Sequence, residues 1–473
     1  MSKPTQDQKP TTKRPVVVQT PPARLSYDEA CAFLNARTDV EKLRPTQVPG
    51  GTLRLDRMHA LMAALDHPEN QTRLVHVAGS KGKGSVCEMV TAALTGAGYA
   101  TGLYTSPHLV DVRERIRVGS SIISQDDFAA AVSDVAAALP AVERKHGPAT
   151  YFEALTASAF VYFAAQAVDV AVVEVGLGGR LDSTNVITPD VAAVAAIQLE
   201  HTQILGNTLE LIAREKAGIF KPGVRAITIP QTPEVMNAFR EVAASVGCQL
   251  SVVGEDIEFT SRFESSPELG PHHKVCLYTP RSSFEHLPVP LKGEHQAYNC
   301  GLALAILDAL RERGVVLSEL GVARGLAAAS NPGRLELIHP SPRIMIDGAH
   351  THDSIHALLR SIGSHLKYDN LIVVFGCSSD KNIPEMLAKL AQGADKIVFT
   401  KAEGSSRAAE PRDLQRKFAE ISGKQTQIGA TVRDAINIAH KAAQRDDLIM
   451  ITGSFYIAGE AKRLFLEKAS KKA

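Results

Sequence analysis

Short β-branched apolar runs alternate with helical patterns along most of this chain. Such alternation is typical of parallel sheets with helices on both faces, so the pattern predicts an α/β fold. The predicted strands cover residues 73–78, 100–104, 169–175, 191–197 and 225–229, then 343–346, 371–375, 396–400 and 448–452.

The pattern changes in three places. Residues 249–290 alternate between polar and apolar with turns, which indicates a small antiparallel insertion. Two predicted helices follow residue 294, and Ser330-Asn331-Pro332-Gly333 ends the second. Residues 1–24 are rich in Pro, Thr, Lys and Gln and predict a disordered tail. The predicted domains are therefore 25–330 and 331–473.

Composition narrows the function class. With 52 Lys and Arg against 51 Asp and Glu, the 473-residue chain lacks the basic field of nonspecific nucleic-acid-binding proteins. No apolar run approaches the roughly 20 residues that span a bilayer, and the N-terminus lacks the apolar core of a signal peptide. The 6 cysteines form no CxxC pair, which is typical of reduced thiols. We expect a cytoplasmic protein without a nucleic-acid or membrane partner.

The most informative segment is a glycine-rich, doubly basic turn between a predicted strand and a predicted helix. There, backbone N–H groups and the helix dipole face any anion in the loop. A lysine of the turn can reach the β/γ-phosphates, and the final serine can offer its hydroxyl to Mg²⁺. The alternative is a simple turn with two solvated lysines. The turn consists of Gly79, Ser80, Lys81, Gly82, Lys83, Gly84 and Ser85.

Further candidates stand near the ends of predicted elements. Glu174 ends a strand, where carboxylates of doubly wound sheets face the ligand crevice; alternatively it is a loop carboxylate. His201 follows another strand, and on its own a structural histidine is at least as good an interpretation. Lys216 lies on a helix predicted to start at Asn207, and its spacing alone predicts a solvated lysine. Glu153 belongs to a capping box that opens an apolar helix, and we interpret it as a cap.

Several blocks together resemble folylpolyglutamate synthase, a family often bifunctional with dihydrofolate synthase and belonging to the Mur ligase superfamily. The resemblance covers roughly residues 25–460, and the extra Gly84 in the phosphate loop is the family's form. It implies an ATP-binding Mur-ligase-like domain followed by a Rossmann-like glutamate-ligase domain. The blocks are the loop at 79–85, Ser-Pro-His-Leu (106–109), Glu-Val-Gly-Leu-Gly-Gly-Arg-Leu-Asp-Ser-Thr-Asn (174–185), Arg-Glu-Lys-Ala-Gly-Ile (214–219), Asn-Pro-Gly-Arg-Leu-Glu (331–336) and Asp-Gly-Ala-His (347–350).

The resemblance also implies roles for individual residues. Lys83, His201 and Lys216 would be catalytic, with Lys216 carbamylated into a carboxylate-like group. Only an uncharged amine attacks CO₂, so a nearby cationic centre is expected to lower the pKa of Lys216. Phe152 matches a position near the pterin, although a core aromatic is an equal alternative. The implied Mg²⁺ ligands are Ser85, Ser106, Glu174 and His201.

The second domain is expected to meet the other end of ATP. The family departs here from this chain, because Asp-Gly-Ala-His is usually followed by Asn-Pro and not by Thr351-His352. His350 is predicted to start the next helix, but that difference leaves the local geometry and the role of His350 open. The residues implied to bind the nucleotide are His295, Gln296, Asn299, Arg334, Asp347 and His350.

These parts imply an ATP-driven ligase acting as a monomer. The acceptor's carboxylate would attack the γ-phosphate, and L-glutamate would then displace phosphate from the acyl phosphate. Whether dihydropteroate, reduced folates or both are accepted stays open. The alternatives are a cell-wall amino-acid ligase, a regulatory ATP-binding module and, least favoured by the charge balance, a nucleic-acid-binding P-loop protein.

Overall fold

The structure is a computed structural model that describes residues 24–41, 43, 51–403, 405 and 407–470. The tail predicted for residues 1–24 lies outside the described residues, apart from its last residue. No described helix is long and apolar enough to cross a membrane.

The first part of the chain carries two sheets and the helices around them. In chain order it contains α1 (Tyr27–Asn35), α2 (Asp56–Ala64), β1 (Arg73–Ala78), α3 (Lys83–Gly96), β2 (Thr101–Tyr104), β3 (Ile116–Val118), β4 (Ser121–Ile122), α4 (Gln125–His146), α5 (Tyr151–Ala165), β5 (Val170–Glu174), β6 (Val191–Val194), α6 (Thr202–Leu205), α7 (Leu209–Ala217), β7 (Arg225–Thr228), α8 (Pro233–Val246), β8 (Gln249–Val252), β9 (Glu258–Ser266), β10 (Gly270–Tyr278), β11 (Ser283–Pro288), α9 (His295–Glu312) and α10 (Glu319–Ala327).

The large sheet has the strand order β4-β3-β2-β5-β1-β6-β7-β8. It is parallel except at one edge, where β3 and β4 run antiparallel. β8 joins this sheet in parallel to β7, so the antiparallel insertion predicted from residue 249 begins only at β9. The insertion itself is confirmed as the sheet β11-β10-β9.

Apolar layers cover both faces of the large sheet. One layer packs α3, α9 and α10 against it, and the other packs α4, α5, α7 and α8 on the opposite side. α3 and α10 approach very closely, because a Cβ on Gly325 would lie 2.1 Å from the Ala92 carbonyl oxygen. This contact requires glycine and fixes α3, whose N-terminus begins at the phosphate loop.

The second part forms a sheet of its own, as the alternating pattern predicts. Its order is β12-β13-β17-β14-β15-β16, parallel except for the edge strand β12. The elements are β12 (Glu336–Pro340), β13 (Arg343–Ile346), α11 (His352–His365), β14 (Leu371–Phe375), α12 (Ile383–Gly393), β15 (Lys396–Phe399), α13 (Pro411–Ile421), β16 (Thr426–Ile428), α14 (Val432–Ala442), β17 (Leu448–Thr452) and α15 (Phe455–Ser470).

Two predicted helix starts are wrong by one or two residues. α7 is capped by Thr208 and not by Asn207, because the Thr208 side chain accepts from the Leu211 N–H. His350 does not start α11, since Thr351 is the N-cap and forms a capping box with Ser354. The departure from the family's Asn-Pro therefore supplies an N-cap for α11.

The predicted capping box of α5 is confirmed, and it has a further partner. Thr150 and Glu153 exchange hydrogen bonds at the helix start. Glu153 also accepts from Arg57, with the shortest distance 2.7 Å, and both side chains are almost fully buried. Glu153 therefore serves as a cap and as the counter-ion of a buried guanidinium.

We predict that Glu153→Gln destabilises the protein by about 3–5 kcal/mol, because it leaves the buried Arg57 without a counter-charge. Urea denaturation followed by circular dichroism measures the change. The control is Glu210→Gln, which breaks an exposed i,i+4 pair with Arg214 and should cost roughly 0.5 kcal/mol or less. Equal, small losses in both variants would contradict the prediction.

Candidate active site

The phosphate loop joins the end of β1 to α3 and needs glycine at two positions. Gly79 has φ 146° and Gly82 has φ 90°, a region that favours glycine. A Cβ would lie 2.9 Å from the Ala195 Cβ at Gly79 and 2.4 Å from the Asn299 Oδ1 at Gly82. The loop is therefore held tightly between β6 and α9.

Two backbone N–H groups of the loop already donate to an acceptor within the protein. The N–H groups of Ser80 and Lys81 both donate to the Ala196 carbonyl, at 2.8 and 3.1 Å. The first N–H groups of a helix have no intrahelical acceptor, and in α3 these begin at Lys83 and include Gly84 and Ser85. The backbone donors that an anion in the loop would meet are therefore those of the first turn of α3.

Two ammonium groups converge on one carbonyl oxygen. Lys83 Nζ donates to the Gly79 oxygen at 3.0 Å, and Lys216 Nζ donates to the same oxygen at 2.9 Å. Lys216 also pairs with Glu200 at 2.9 Å. Its side chain is only 2% exposed, so the solvated lysine expected from spacing alone is wrong.

Burial controls the charge states of this cluster. Burial lowers the pKa of Lys216 to about 8, although Glu200 opposes the shift. The neighbouring Lys83 also lowers it, so the cation expected to depress this pKa exists but ranks below burial. Burial raises the pKa of Glu200, but the charge of Lys216 and those of the loop lysines bring it down to about 2.

Glu174 lies at the carboxyl end of β5, which pairs with β1. The phosphate loop and this carboxylate therefore emerge at the same edge of the sheet. Glu174 Oε2 accepts from the Ser106 N–H at 3.2 Å, and a Cβ on Gly84 would lie 3.6 Å from the same oxygen. Burial raises the pKa of Glu174 to about 7, against the opposing charge of Lys83.

The Ser85 hydroxyl joins the two parts of the chain. Its oxygen accepts from Gln296 Nε2 at 3.2 Å and from Asn331 Nδ2 at 2.9 Å. Asn299 Nδ2 donates to the side-chain oxygen Gln296 Oε1 at 2.9 Å, and both amides are buried. Gln296 and Asn299 are thus part of the loop's surroundings and not exposed helix positions.

His201 lies close to this cluster but is not bonded to the other implied metal ligands. It precedes α6 with φ 47°, and burial lowers its pKa to about 4, with Glu200 opposing. Among the described residues, no hydrogen bond or ion pair joins His201 to Ser85, Ser106 or Glu174. The structure brings Ser106 to Glu174 and Gln296 to Ser85, while His201 stands beside Glu200.

The second part contributes candidates that lie near the loop. Asp347 is buried and accepts from the Leu335 and Ala349 N–H groups at 3.0 and 2.8 Å. Burial lowers the pKa of His350 to about 3, and the charge of Lys81 lowers it further. An electrostatic effect of Lys81 on His350 means that the second sheet's edge lies near the phosphate loop.

The positive charge of Arg334 influences several of these groups. Its guanidinium carbon lies 4.5 Å from the centre of the Phe455 ring. Burial lowers the pKa of His295 to about 4, and the charge of Arg334 is the next cause. Burial raises the pKa of Asp347, which Arg334 opposes. Arg334 is therefore near both His295 and Asp347.

Phe152 borders the same edge. Its ring centre is 5.8 Å from that of Tyr104, and a Cβ on Gly176 would lie 2.5 Å from its Cζ. Gly176 follows Glu174 by two residues, so the half-buried Phe152 ring lies beside the carboxyl end of β5.

Sequence reasoning missed two residues of the cluster. Glu200 is not among the predicted site residues, yet it is the counter-ion of Lys216. Asn331 was interpreted only as part of a helix-ending turn, yet it donates to Ser85. Each is next to a residue or motif that the sequence singled out, and that adjacency was the available signal.

Comparisons with known proteins agree with this geometry. Residues 77–307 match the Mur ligase middle domain, and residues 333–455 match the glutamate ligase domain of Mur ligases. Bacillus subtilis dihydrofolate synthase/folylpolyglutamate synthase is 32% identical over 93% of this chain and 99% of its own length. The Haloferax volcanii "Probable bifunctional folylpolyglutamate synthase/dihydropteroate synthase" is 35% identical over 93% of this chain, which spans 50% of that relative.

Solved structures give the same result. Mycobacterium tuberculosis folylpolyglutamate synthase complexed with ADP and AMPPCP is 32% identical and has a TM-score of 0.82. The match covers 93% of this chain and 98% of the chain in that structure. Escherichia coli FolC in complex with DHPP and ADP is 30% identical with a TM-score of 0.78, over 93% of this chain and 98% of its own. Identity with these relatives exceeds 30% over nearly the whole chain. This chain therefore belongs to the dihydrofolate synthase/folylpolyglutamate synthase family of Mur ligases.

Proposed function

We propose that this protein uses ATP to add L-glutamate to dihydropteroate, to the γ-carboxylate of reduced folates, or to both. The observation that carries the proposal is the convergence of the phosphate loop, Glu174 and Phe152 at one edge of the large sheet, opposite Arg334 and Asp347. A phosphate site beside an apolar ring suits a reaction between ATP and an aromatic acceptor. The named relatives and the solved complexes with ADP and DHPP support the same substrates.

Lys83 and the first turn of α3 would hold the transferring phosphoryl group. Charge develops on that group's oxygens, and preorganised donors stabilise it without reorganisation at the moment of reaction. The acceptor's carboxylate oxygen attacks the γ-phosphorus and ADP leaves. The glutamate nitrogen then attacks the acyl carbon, and inorganic phosphate leaves. Closing the second part over the site would keep water from the acyl phosphate.

The donor set suits Mg²⁺ held jointly by protein and nucleotide. Among the described residues, no three His, Cys, Asp or Glu side chains group to hold a metal. Mg²⁺ prefers one or two carboxylates together with substrate phosphates, and Glu174 and Ser85 supply hard oxygens. Ser85 Oγ already accepts two hydrogen bonds, so a bound cation would replace the amide of Gln296 or Asn331. When bound, Mg²⁺ would neutralise charge on the phosphates.

A panel of acceptors tests the proposal against its alternatives. Multiple-turnover ADP release should require L-glutamate together with dihydropteroate or tetrahydrofolate. Release with a nucleotide-linked cell-wall precursor instead would indicate a cell-wall ligase. ATP binding without any acceptor-dependent release would indicate a regulatory module.

We predict that Lys83→Ala lowers kcat by about 10² to 10³, because it removes one preorganised charge from the transferring phosphoryl group. Steady-state ADP release measures the loss, and circular dichroism verifies the fold. Lys145→Ala, on the exposed end of α4, is the matched control and should keep full activity. Near-normal turnover of a folded Lys83→Ala protein would remove Lys83 from the mechanism.

We predict that Lys216 forms a carbamate with CO₂. With a pKa of about 8, about one tenth of its amine is uncharged at pH 7, and that fraction rises as the pH increases through 8. In ¹³C-bicarbonate, ¹³C NMR should show a carbamate resonance that grows with pH and is absent from Lys216→Ala. Activity should fall in CO₂-depleted buffer and return with bicarbonate.

Glu200→Gln provides the companion measurement for Lys216. It removes the carboxylate that favours the ammonium form, so the carbamate resonance at pH 7 should increase. A wild-type protein without a carbamate resonance at any pH from 6 to 9 would refute the modification.

We predict that the acyl phosphate forms before glutamate binds. ATP labelled at the γ-phosphate and mixed with dihydropteroate alone should yield label on the pterin acceptor after rapid quenching. The reason is that the acceptor's carboxylate is the only nucleophile this first step requires. Label that appears only after glutamate is added would contradict the stepwise order.

A further inference from the structure

Arg115 is a buried arginine that the reaction described above does not use. It ends the short helical turn Val112–Arg115 and is 2% exposed. A buried guanidinium needs partners for its donors, because an unpaired buried charge is strongly destabilising. The partners of Arg115 lie on three separate segments around Phe152.

The first partner segment is the Ser-Pro-His-Leu loop. Arg115 Nε donates to His108 Nδ1 at 2.9 Å, and the Arg115 carbonyl accepts from the Thr105 N–H at 3.0 Å. Ser106 lies between these two contacts and donates its N–H to Glu174. Arg115 therefore holds both sides of the residue that meets the carboxylate.

The second and third partner segments meet on the other side of the guanidinium. Arg115 pairs with both carboxylate oxygens of Glu41, at 3.0 and 2.6 Å. Its guanidinium carbon lies 5.8 Å from the centre of the Tyr151 ring, and the Tyr151 N–H donates to the Thr38 carbonyl at 2.9 Å. Tyr151 precedes Phe152 at the start of α5. One side chain thus links residues 38–41, the Ser106 loop and the base of Phe152.

We propose that the Arg115–Glu41 pair positions the acceptor pocket, setting the distance between the Phe152 ring and the Ser106–Glu174 contact. Arg115 acts through these segments and touches no reacting atom, so it is a positioning residue. The inference rests on the proposed function, because it assigns the acceptor to the space beside Phe152. The bidentate geometry matters, since a guanidinium fixes orientation and a lysine ammonium does not.

Among the described residues, the phosphate loop makes no hydrogen bond to Arg115 or Glu41, and the nucleotide side meets this network only where Glu174 accepts from the Ser106 N–H. Lys83, Ser85 and Asn299 are held by Gly79, Gln296 and Asn331. Loosening Arg115 should therefore weaken acceptor binding much more than ATP binding. A purely structural role would instead lower stability and affect both substrates alike.

The test uses Glu41→Gln, because Glu41 is 34% exposed and its replacement leaves Arg115 a neutral partner of the same shape. We expect KM for dihydropteroate to rise about tenfold, the effect of one charge-assisted hydrogen bond, with KM for ATP within about twofold of wild type. Arg115→Lys should show the same split. The control is Glu312→Gln, which breaks a comparable bidentate pair with Arg225, at 3.0 and 2.8 Å. This pair lies at the amino end of β7 and not at the carboxyl edge of the sheet.

Isothermal titration of dihydropteroate onto the full chain without ATP separates this inference from the proposed function. Wild-type protein that binds dihydropteroate but releases no ADP would refute the proposed function, while the ratio of Kd values for Glu41→Gln and wild type would still decide the inference. The inference would be overturned by equal changes in KM for both substrates or by no change in either KM. It would also be overturned by wild-type protein that does not bind dihydropteroate.

Discussion

The burial of charge at the carboxyl edge of β5, β1 and β6 is the constraint on which the site depends. An isolated ion in a protein interior costs more than the whole stability of a domain, so every buried charge needs a partner. Lys216 has Glu200, and both Lys216 and Lys83 bind the Gly79 oxygen. Burial raises the pKa of Glu174 to about 7, because the charge of Lys83 and the one backbone donor found among the described residues, the Ser106 N–H, offset it only in part.

The balance of these charges favours an anionic ligand. Lys81, Lys83, Lys216 and Arg334 influence the same region, where the carboxylates include Glu174, Glu200 and Asp347. Burial lowers the pKa of Lys81 to about 8, and the charges of Arg334 and Lys83 lower it further while Glu200 opposes the shift, so neighbouring cations lie close together in this site. A triphosphate would supply the missing negative charge, and this explains why so many basic groups tolerate one another's proximity.

The two parts of the chain meet through this same region. Asn331, at the start of the segment that leads into β12, donates to Ser85 in the phosphate loop. Farther out, Arg360 of α11 pairs with Glu294, which precedes α9, at 2.7 Å. Contacts between the two parts are thus partly made by the groups that would meet the nucleotide. A ligand that replaced the Asn331 amide on Ser85 would therefore also change a contact between the two parts.

The sequence predicted the strands well, because apolar β-branched runs between helices are buried wherever they lie in a parallel sheet. It did not reveal that β3, β4 and β12 are antiparallel or that β8 joins the large sheet. Strand direction depends on the neighbour with which a strand pairs, and that neighbour is distant in sequence. The cap of α7 was misplaced for a similar reason, since Asn207 and Thr208 are both good cap residues and only backbone geometry selects one.

The loop between β1 and α3 could be predicted from the chain alone because its chemistry is local: closely spaced glycines, two lysines and a final serine between a strand and a helix. The ion pair of Lys216 with Glu200, the amides on Ser85 and the network of Arg115 could not be predicted in this way. Each joins segments separated by 16 to 246 residues, and burial changes what a side chain does. Spacing along a helix indicates which residues share a face, but only tertiary packing decides which charge is removed from water and which partner compensates it.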